Sequence, residues 1–468
     1  MSDVVIKGFP KGWQLVPLGK LRGGIAKSIN PSDQPDEIFE LYSVPSFSDG
    51  APEVITGKEI GSSKRVVEPN TVLLSKINPR INRVWIVGPE TKHRQISSPE
   101  WVEFFPTEGV EPKYLLYFMQ NNKFREHLSM NISGVGGSLT RIRPKVAEDY
   151  EIPLAPPEQQ KRIVAKIEEL FSHIDAGIEG LKKAKKLLKQ YRQSVLKAAV
   201  TGELTREWRE ANKDKVEPAS KLLERILKER REKWEAQQLE SFKAKGKVPK
   251  GDGWKGKYKE PGEPIIDVSN QLSDEWSYAR LDAVAEIIDS LHKTPSYAEE
   301  GYPMARVTEI KGGELDLSGA YRVTEEVFHE FTRRYKPKRG DILISRVGTY
   351  GNASLVNTDQ EFCLGQNTAV ICPLINSRYL HIVLESRFSK QQIDLLVVGS
   401  TQKTLSLKNM AGLLIPLPIE EEQEEIVRIV DEKLTSVDHL EKELNIQVLK
   451  AEKNKQSVLA SAFLGKIN

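Results

Sequence analysis

Ile152-Pro-Leu-Ala-Pro-Pro-Glu-Gln-Gln160-Lys-Arg-Ile163-Val164 returns later in the chain as Ile415-Pro-Leu-Pro-Ile-Glu-Glu-Glu-Gln423-Glu-Glu-Ile426-Val427, an offset of 263 residues. The same offset carries Asp175 onto Asp438, Gln193-Ser-Val-Leu196 onto Gln456-Ser-Val-Leu459, and Gly202 onto Gly465. It also carries Trp13 and Leu18 onto Trp276 and Leu281. Between these anchors the match is looser: Leu73-Leu-Ser-Lys76 faces Leu343-Ile-Ser-Arg346, and Tyr114-Leu115 faces Tyr379-Leu380. Drift that closes again at the original offset is what loops of changed length produce. An ordered set of matches at one period marks a repeated structural unit.

Each copy ends in a long helical pattern. In the first, Ile163, Ile167, Leu170, Ile174, Leu181, Leu188, Tyr191 and Val195 fall on alternating three- and four-residue steps, with Gly177 and Ala184 filling two further positions. That spacing predicts a coiled-coil seam. Pro156-Pro157-Glu158 suits a helix start, with proline in the first turn and an acid near the positive end. The second copy repeats the seam through Ile426, Val430, Val437, Leu440, Leu444 and Val458, with polar breaks at Gln447 and Asn454. The two helices can pair antiparallel with each other or with another protein.

The bodies before the helices show short apolar strands broken by turns, such as Val72–Leu74, Val84–Val87, Asp341–Ile344 and Ala369–Ile371. Each has one late helix, Lys113–Met119 and Arg378–Leu384. The fold expected is α+β: two mixed α/β bodies separated by long antiparallel coiled-coil helices, with an internal pseudo-twofold repeat. The divisions expected are a first body at 1–150, a helical segment at 151–204, a helix plus lysine-rich linker at 205–268, a second body at 269–414 and a second helical segment at 415–468. Between Phe242 and Lys259 stand seven lysines and one acid, Asp252, a run that reads as a solvated linker or a contact to phosphates.

Apolar residues make up 39% of the chain and charged residues 29%, enough for real cores, and the net charge is only +3. Cys363 and Cys372 fit neither a disulfide framework nor a zinc knuckle, which favours a reducing compartment. No apolar run reaches the ~20 residues that span a bilayer, and the first residues lack a signal-peptide core. A soluble, cytoplasmic protein is expected.

Catalytic patterns fail one by one. Asn78-Pro79-Arg80 lacks the second proline and aromatic of an amino-methyltransferase motif, and Gly134-Val-Gly-Gly-Ser138 lacks the Lys-Ser/Thr of a phosphate loop. Glu309-Ile-Lys311 has no Pro-Asp partner upstream, and the seven histidines show no ligand spacing. No catalytic residue, no metal site and no cofactor bound by this chain are expected.

Polar loops suited to base edges and phosphates do recur. In the first body they are Ser75, Lys76, Asn78, Arg80, Asn82 and Arg83, then Ser138, Thr140, Arg141 and Arg143. In the second they are Ser345, Arg346, Thr349, Tyr350 and Asn352, then Thr401, Gln402, Lys403 and Thr404, with Gln366 and Asn367 suited to adenine. Trp85 and Tyr350 read as packing residues.

The twofold Ile-Pro-Leu motif running into a helix that ends Gln-Ser-Val-Leu, the signature Gly340-Asp-Ile-Leu-Ile-Ser-Arg-x-Gly348, and the stretch Leu204-Thr-Arg-Glu-Trp-Arg209 resemble the specificity (S) subunits of type I restriction–modification enzymes. The resemblance covers essentially the whole chain. It departs at Ile419, where a proline is common, and at the degenerate Ser75-Lys-Ile-Asn-Pro79. It implies two target-recognition domains that each read half of a split double-stranded DNA target, with helices setting the spacing. It also implies modification (M) subunits, two of them, which methylate adenine N6 with S-adenosylmethionine, and restriction (R) subunits using ATP and Mg. The chain itself would be non-catalytic. A specificity-like subunit of another DNA-modification or defence complex, or a coiled-coil protein-binding adaptor, are the other readings.

Overall fold

The computed structural model describes residues 9–132, 140–213, 217–249, 251–262, 275–397 and 403–467. The chain forms two compact units. One comprises Met1–Ala184 with Glu443–Asn468, the other Lys185–Lys442. The divisions fall inside the two long helices Pro157–Val200 and Glu420–Phe463, so each unit takes a length of both.

The first unit holds a mixed five-stranded sheet, in which Ile38–Tyr42 runs parallel to Arg94–Ser97, and a three-stranded antiparallel sheet of Val84–Ile86, Val72–Ser75 and Trp101–Phe104. Helix Pro112–Met119 covers the smaller sheet, and Val72, Leu74, Phe104, Tyr114 and Phe118 share a core with Ile163, Ile167, Leu459 and Phe463 of the long helices. Asp175 pairs with Lys455. Contact thus runs backwards along one helix as it runs forwards along the other, and the two stretches are antiparallel. On the other face of the sheet Trp85 packs against Tyr42, Phe47 and Trp101, as its packing role predicts.

The second unit repeats these parts. Ala285–Asp289, Thr368–Pro373, Ile342–Ser345 and Ala353–Leu355 form an antiparallel sheet in that order, and Tyr302–Ala305 pairs parallel to Cys363–Leu364 in a second sheet. Helix Ser377–Glu385 covers the larger sheet. Val195, Leu196 and Ala199 meet Ile426, Val430 and Leu434 in one core, and Arg192 pairs with Asp438. Here too the two helical stretches are antiparallel.

The quoted motif owes its residues to tertiary contacts. Gln14–Pro17 pairs with Glu151–Leu154, beginning at Gln14 opposite Leu154; Ser277–Arg280 pairs with Leu414–Leu417, beginning at Ser277 opposite Leu417. Every partner is displaced by the same 263. Buried Gln160 accepts from the backbone of Glu111 at 2.8 Å and donates to the Ala155 carbonyl at 2.7 Å; buried Gln423 does the same with Asn376 at 3.0 Å and Pro418 at 2.9 Å. A buried amide needs such partners, so these glutamines tie each helix start to its own body. The Tyr114 hydroxyl donates to the Pro153 carbonyl, as the Tyr379 hydroxyl does to that of Pro416. Trp13 donates to Gln159, and Trp276 to Glu422.

The seam differs from its expected register. Ile178, not Gly177, is buried, and Tyr191 and Leu440 are exposed. Buried Leu434 and half-buried Val448 and Ala451 face inward, while Gln447 and Asn454 face solvent. A straight helix turns every 3.6 residues, so a strict seven-residue count drifts about 20° per heptad. The lysine-rich stretch also differs from a plain linker, since Lys255–Lys257 forms a helical turn within it. None of the described helices is long and apolar enough to cross a membrane.

Candidate nucleic-acid interface

In both units the candidate loops leave one end of a sheet, where backbone bonds gather them. In the first unit strand Val72–Ser75 ends, and the Lys76 N–H donates to the Glu100 carbonyl at 2.9 Å. The Lys76 carbonyl accepts from Ile142 at 3.0 Å, the Asn78 N–H donates to the Thr140 carbonyl at 2.8 Å, and Ile77 bridges to Arg141. Loop 76–83 and segment 140–143, far apart in sequence, form one ribbon. Asn78 takes a left-handed φ of 46°, a conformation asparagine tolerates better than most residues.

The second unit builds the same ribbon. The Arg346 carbonyl accepts from Leu405 at 2.9 Å, the Arg346 N–H donates to Asn367 at 2.8 Å, and Val347 bridges to Thr404. Lys76 with Ile142 and Arg346 with Leu405 are equivalent pairs in the two copies.

Side chains sort into framework and contact groups. Ser75 and Ser345 are buried; their hydroxyls bond within the turn, to the backbone of Ile77 and Thr349. Thr140 is buried as well. The Lys76 ammonium donates to the Pro99 carbonyl, and burial, with Arg65 nearby, pulls its pKa below the ordinary lysine value. Asn82 donates to the Gln120 carbonyl at 2.9 Å. Arg346 is the largest departure from expectation. Its side chain is 12% exposed, donates to the Leu405 carbonyl at 3.1 Å and pairs with Asp289. It clamps the ribbon, and Tyr350 packs on the core behind it.

Arg80, Arg141 and Arg143 stand exposed at the end of the first unit, with Arg83 and Asn78 partly exposed beside them. Arg141 pairs with Glu100 at 3.2 Å yet keeps 55% of its side chain accessible. Thr349 and Lys403 are exposed on the second unit, with Asn352, Gln366, Asn367 and Thr404 partly so. Gln366 donates to Thr294 at 3.0 Å. Ser138, Thr401 and Gln402 lie outside the described residues. The exposed set carries guanidinium, ammonium, amide and hydroxyl donors, the chemistry that meets phosphates and base edges.

Sequence reasoning missed a cleft of about 690 Å³ beside this end of the second unit, lined by Asp289, Ser290, His292, Arg333, Arg334 and Tyr335 among others. Asp289 holds both Arg346 and His292, the latter at 2.9 Å. Buried Ser290 points a hydroxyl with no partner among the described residues into that region, and Arg333 and Arg334 are exposed at its rim. The adjacent arginines were the signal in the sequence. Among the described residues no cluster of His, Cys, Asp or Glu is arranged to hold a metal ion.

A sheet-end ribbon presenting basic and amide side chains is thus built once in each unit. Residues 273–450 match the family model described as the type I restriction modification DNA specificity domain, and the resemblance read from the motifs is borne out. Among curated relatives, the chain is 28% identical over 343 residues to the EcoBI specificity subunit of Escherichia coli, covering 73% of this chain and 63% of that subunit. It is 23% identical over 373 residues to the EcoKI specificity subunit of E. coli K12, covering 77% of this chain and 67% of that one. The match to the EcoBI subunit thus spans less than two thirds of that relative's length. A chain solved in work on assembly of a type I R-M system aligns with a TM-score of 0.70 at 19% identity, over 98% of this chain and 99% of the other. The HsdS subunit of Thermoanaerobacter tengcongensis aligns at 0.52 and 19%, over 98% of each. At that identity the two structures speak for a shared fold.

Proposed function

We propose that this chain is the sequence-reading DNA-binding subunit of a type I restriction–modification complex, recognising a bipartite duplex target with one half read by each unit. The observation that carries this is the twofold sheet-end ribbon, closed in both copies by equivalent bonds at Lys76 and Arg346 and equivalent bridges at Ile77 and Val347, and rimmed by Arg80, Arg141 and Arg143 in one and Thr349 and Lys403 in the other. Two modest readers joined in one chain gain affinity through effective concentration. The long helices act as an antiparallel coiled coil relating the halves of a pseudo-twofold repeat, and half-sites on one face of the duplex fall about one turn, roughly 34–36 Å, apart.

The chain is non-catalytic and binds no cofactor of its own. Two modification subunits carry S-adenosylmethionine for adenine methylation, restriction subunits use ATP with Mg, and the assembly works in the cytoplasm. The test is binding of the full chain to a randomised duplex pool. A split consensus supports the reading, as does an affinity that falls steeply with salt. Absence of any duplex binding at low salt, with retention of a protein partner, would replace it with the adaptor reading.

A further inference from the structure

The lysine-rich stretch after helix Ala219–Ala244 is a built arm. The first half of the helix is anchored in the second unit's core by Leu222 and Ile226. Beyond it the chain turns and folds back on the helix. Trp254 stacks on Trp234 at 6.0 Å between ring centroids, Tyr258 meets Trp234 at 5.3 Å, and Phe242 meets the edge of Trp254 at 6.1 Å. Aromatic pairs in this range hold segments together beyond the area they bury.

The turn is also fixed. Lys247 donates to the Phe242 carbonyl and Gly246, at φ 63°, donates to that of Lys243, each at 2.9 Å. This double closure ends a helix and leaves its lysines outside.

The charges divide sharply. Asp252 and Glu260, the acids within and beside the stretch, are taken up by Lys255 and Arg231, and Glu235 serves both of those cations. Lys243, Lys245, Lys247, Lys257 and Lys259 are exposed, and among the described residues none of the five forms an ion pair. Lys257 and Lys259 flank Tyr258, whose ring faces the helix. Cations near a helix C-terminus complement its dipole, which accounts for Lys243 and Lys245. It does not account for two more on the returning segment, held against the same helix by three aromatic contacts. Five unpaired cations on a braced arm suit a polyanion with regularly spaced charges.

We propose that Lys243, Lys245, Lys247, Lys257 and Lys259 form a sequence-independent grip on the phosphate backbone of duplex DNA, separate from the base-reading ribbon of their own unit. This rests on the reading of the chain as a DNA binder. Each phosphate neutralised contributes about 0.9 to the slope of log affinity against log salt. Four to five contacts therefore add about 4 to the slope, or roughly 250-fold more loss of affinity between 50 and 200 mM salt.

The experiment compares the full chain with a variant carrying Lys→Gln at 243, 245, 247, 257 and 259. Fluorescence anisotropy follows binding to the selected duplex and to an unrelated one across a salt series. The expected result is a slope lower by about 3–4 on both duplexes, with the preference between them unchanged. Trp254→Ala, which keeps all five lysines and removes their brace, should give a smaller fall. An unchanged slope in the quintuple variant overturns the grip while leaving the reading of DNA intact. An unchanged slope with loss of a co-purifying protein overturns it too, and assigns the arm to protein docking. Failure of the unsubstituted chain to bind either duplex overturns the DNA reading itself.

Discussion

Replacing Arg346 by alanine separates a residue that touches DNA from one that holds the reading ribbon in shape. The guanidinium is 12% exposed and its partner Asp289 16%, and a second bond reaches the Leu405 carbonyl. Removing one partner of a fully buried pair costs about 3–5 kcal/mol and of an exposed one about 0–1. A pair this enclosed falls between, at about 2–3, and the lost carbonyl bond adds about 1. A loss of about 3 kcal/mol in a unit of this size lowers the melting midpoint by roughly 6–12 °C. The assay is thermal unfolding followed by tryptophan fluorescence, run beside Thr349→Ala and Lys403→Ala. Those two are surface changes expected to stay within about 0.5 kcal/mol while weakening DNA binding. A normal midpoint for Arg346→Ala, together with lost DNA affinity, would refute the clamp and return Arg346 to the contact set.

Three further outcomes follow from the same structure. Buried Glu422 accepts from Thr205 at 2.6 Å, Arg209 at 2.5 Å and Trp276 at 2.9 Å, so Glu422→Ala should cost about 3–5 kcal/mol in urea unfolding. Gln159→Ala, its counterpart, removes a neutral amide that accepts from Trp13 and should cost less, about 1; equal costs would contradict the buried network. His381 is fully buried, and burial, opposed by Glu385, lowers its pKa below the ordinary histidine value. Its neutral ring is what folds, so stability is present above the unfolded pKa of about 6.5 and is lost as pH falls below it. His381→Gln should flatten that part of the pH–stability curve, and an undiminished slope would count against it. Burial pushes the thiols of Cys363 and Cys372 up to about 12. Ellman's reagent at pH 8 should therefore label the native chain slowly and the unfolded chain at both sites; rapid native labelling would be contrary.

The duplication was legible because its motif encodes tertiary contacts. Gln160 and Gln423, Tyr114 and Tyr379, Trp13 and Trp276 each serve the same junction, and a side chain with a fixed partner is a side chain that sequence comparison can find. The strands and late helices were legible from periodicity. The site was legible as loops but not as side chains. That Ser75 and Ser345 turn inward, and that Asp289 takes up Arg346 from 57 positions away, are products of folding with no local pattern. The cleft of Ser290, His292, Arg333 and Arg334 was hidden for the same reason, being assembled from two separate loops. The arm escaped because Trp234 and Trp254 look like isolated aromatics until the turn at Gly246 brings them together.

The central claim is that each unit reads its own half of one target. The direct measurement is the consensus selected from a randomised duplex pool by three proteins: the chain itself, an Arg80/Arg141/Arg143→Ala variant and a Thr349/Lys403→Ala variant. The account predicts a split consensus for the chain, with each variant relaxing a different half and leaving the other intact. A single contiguous consensus, or the same bases relaxed by both variants, would contradict it.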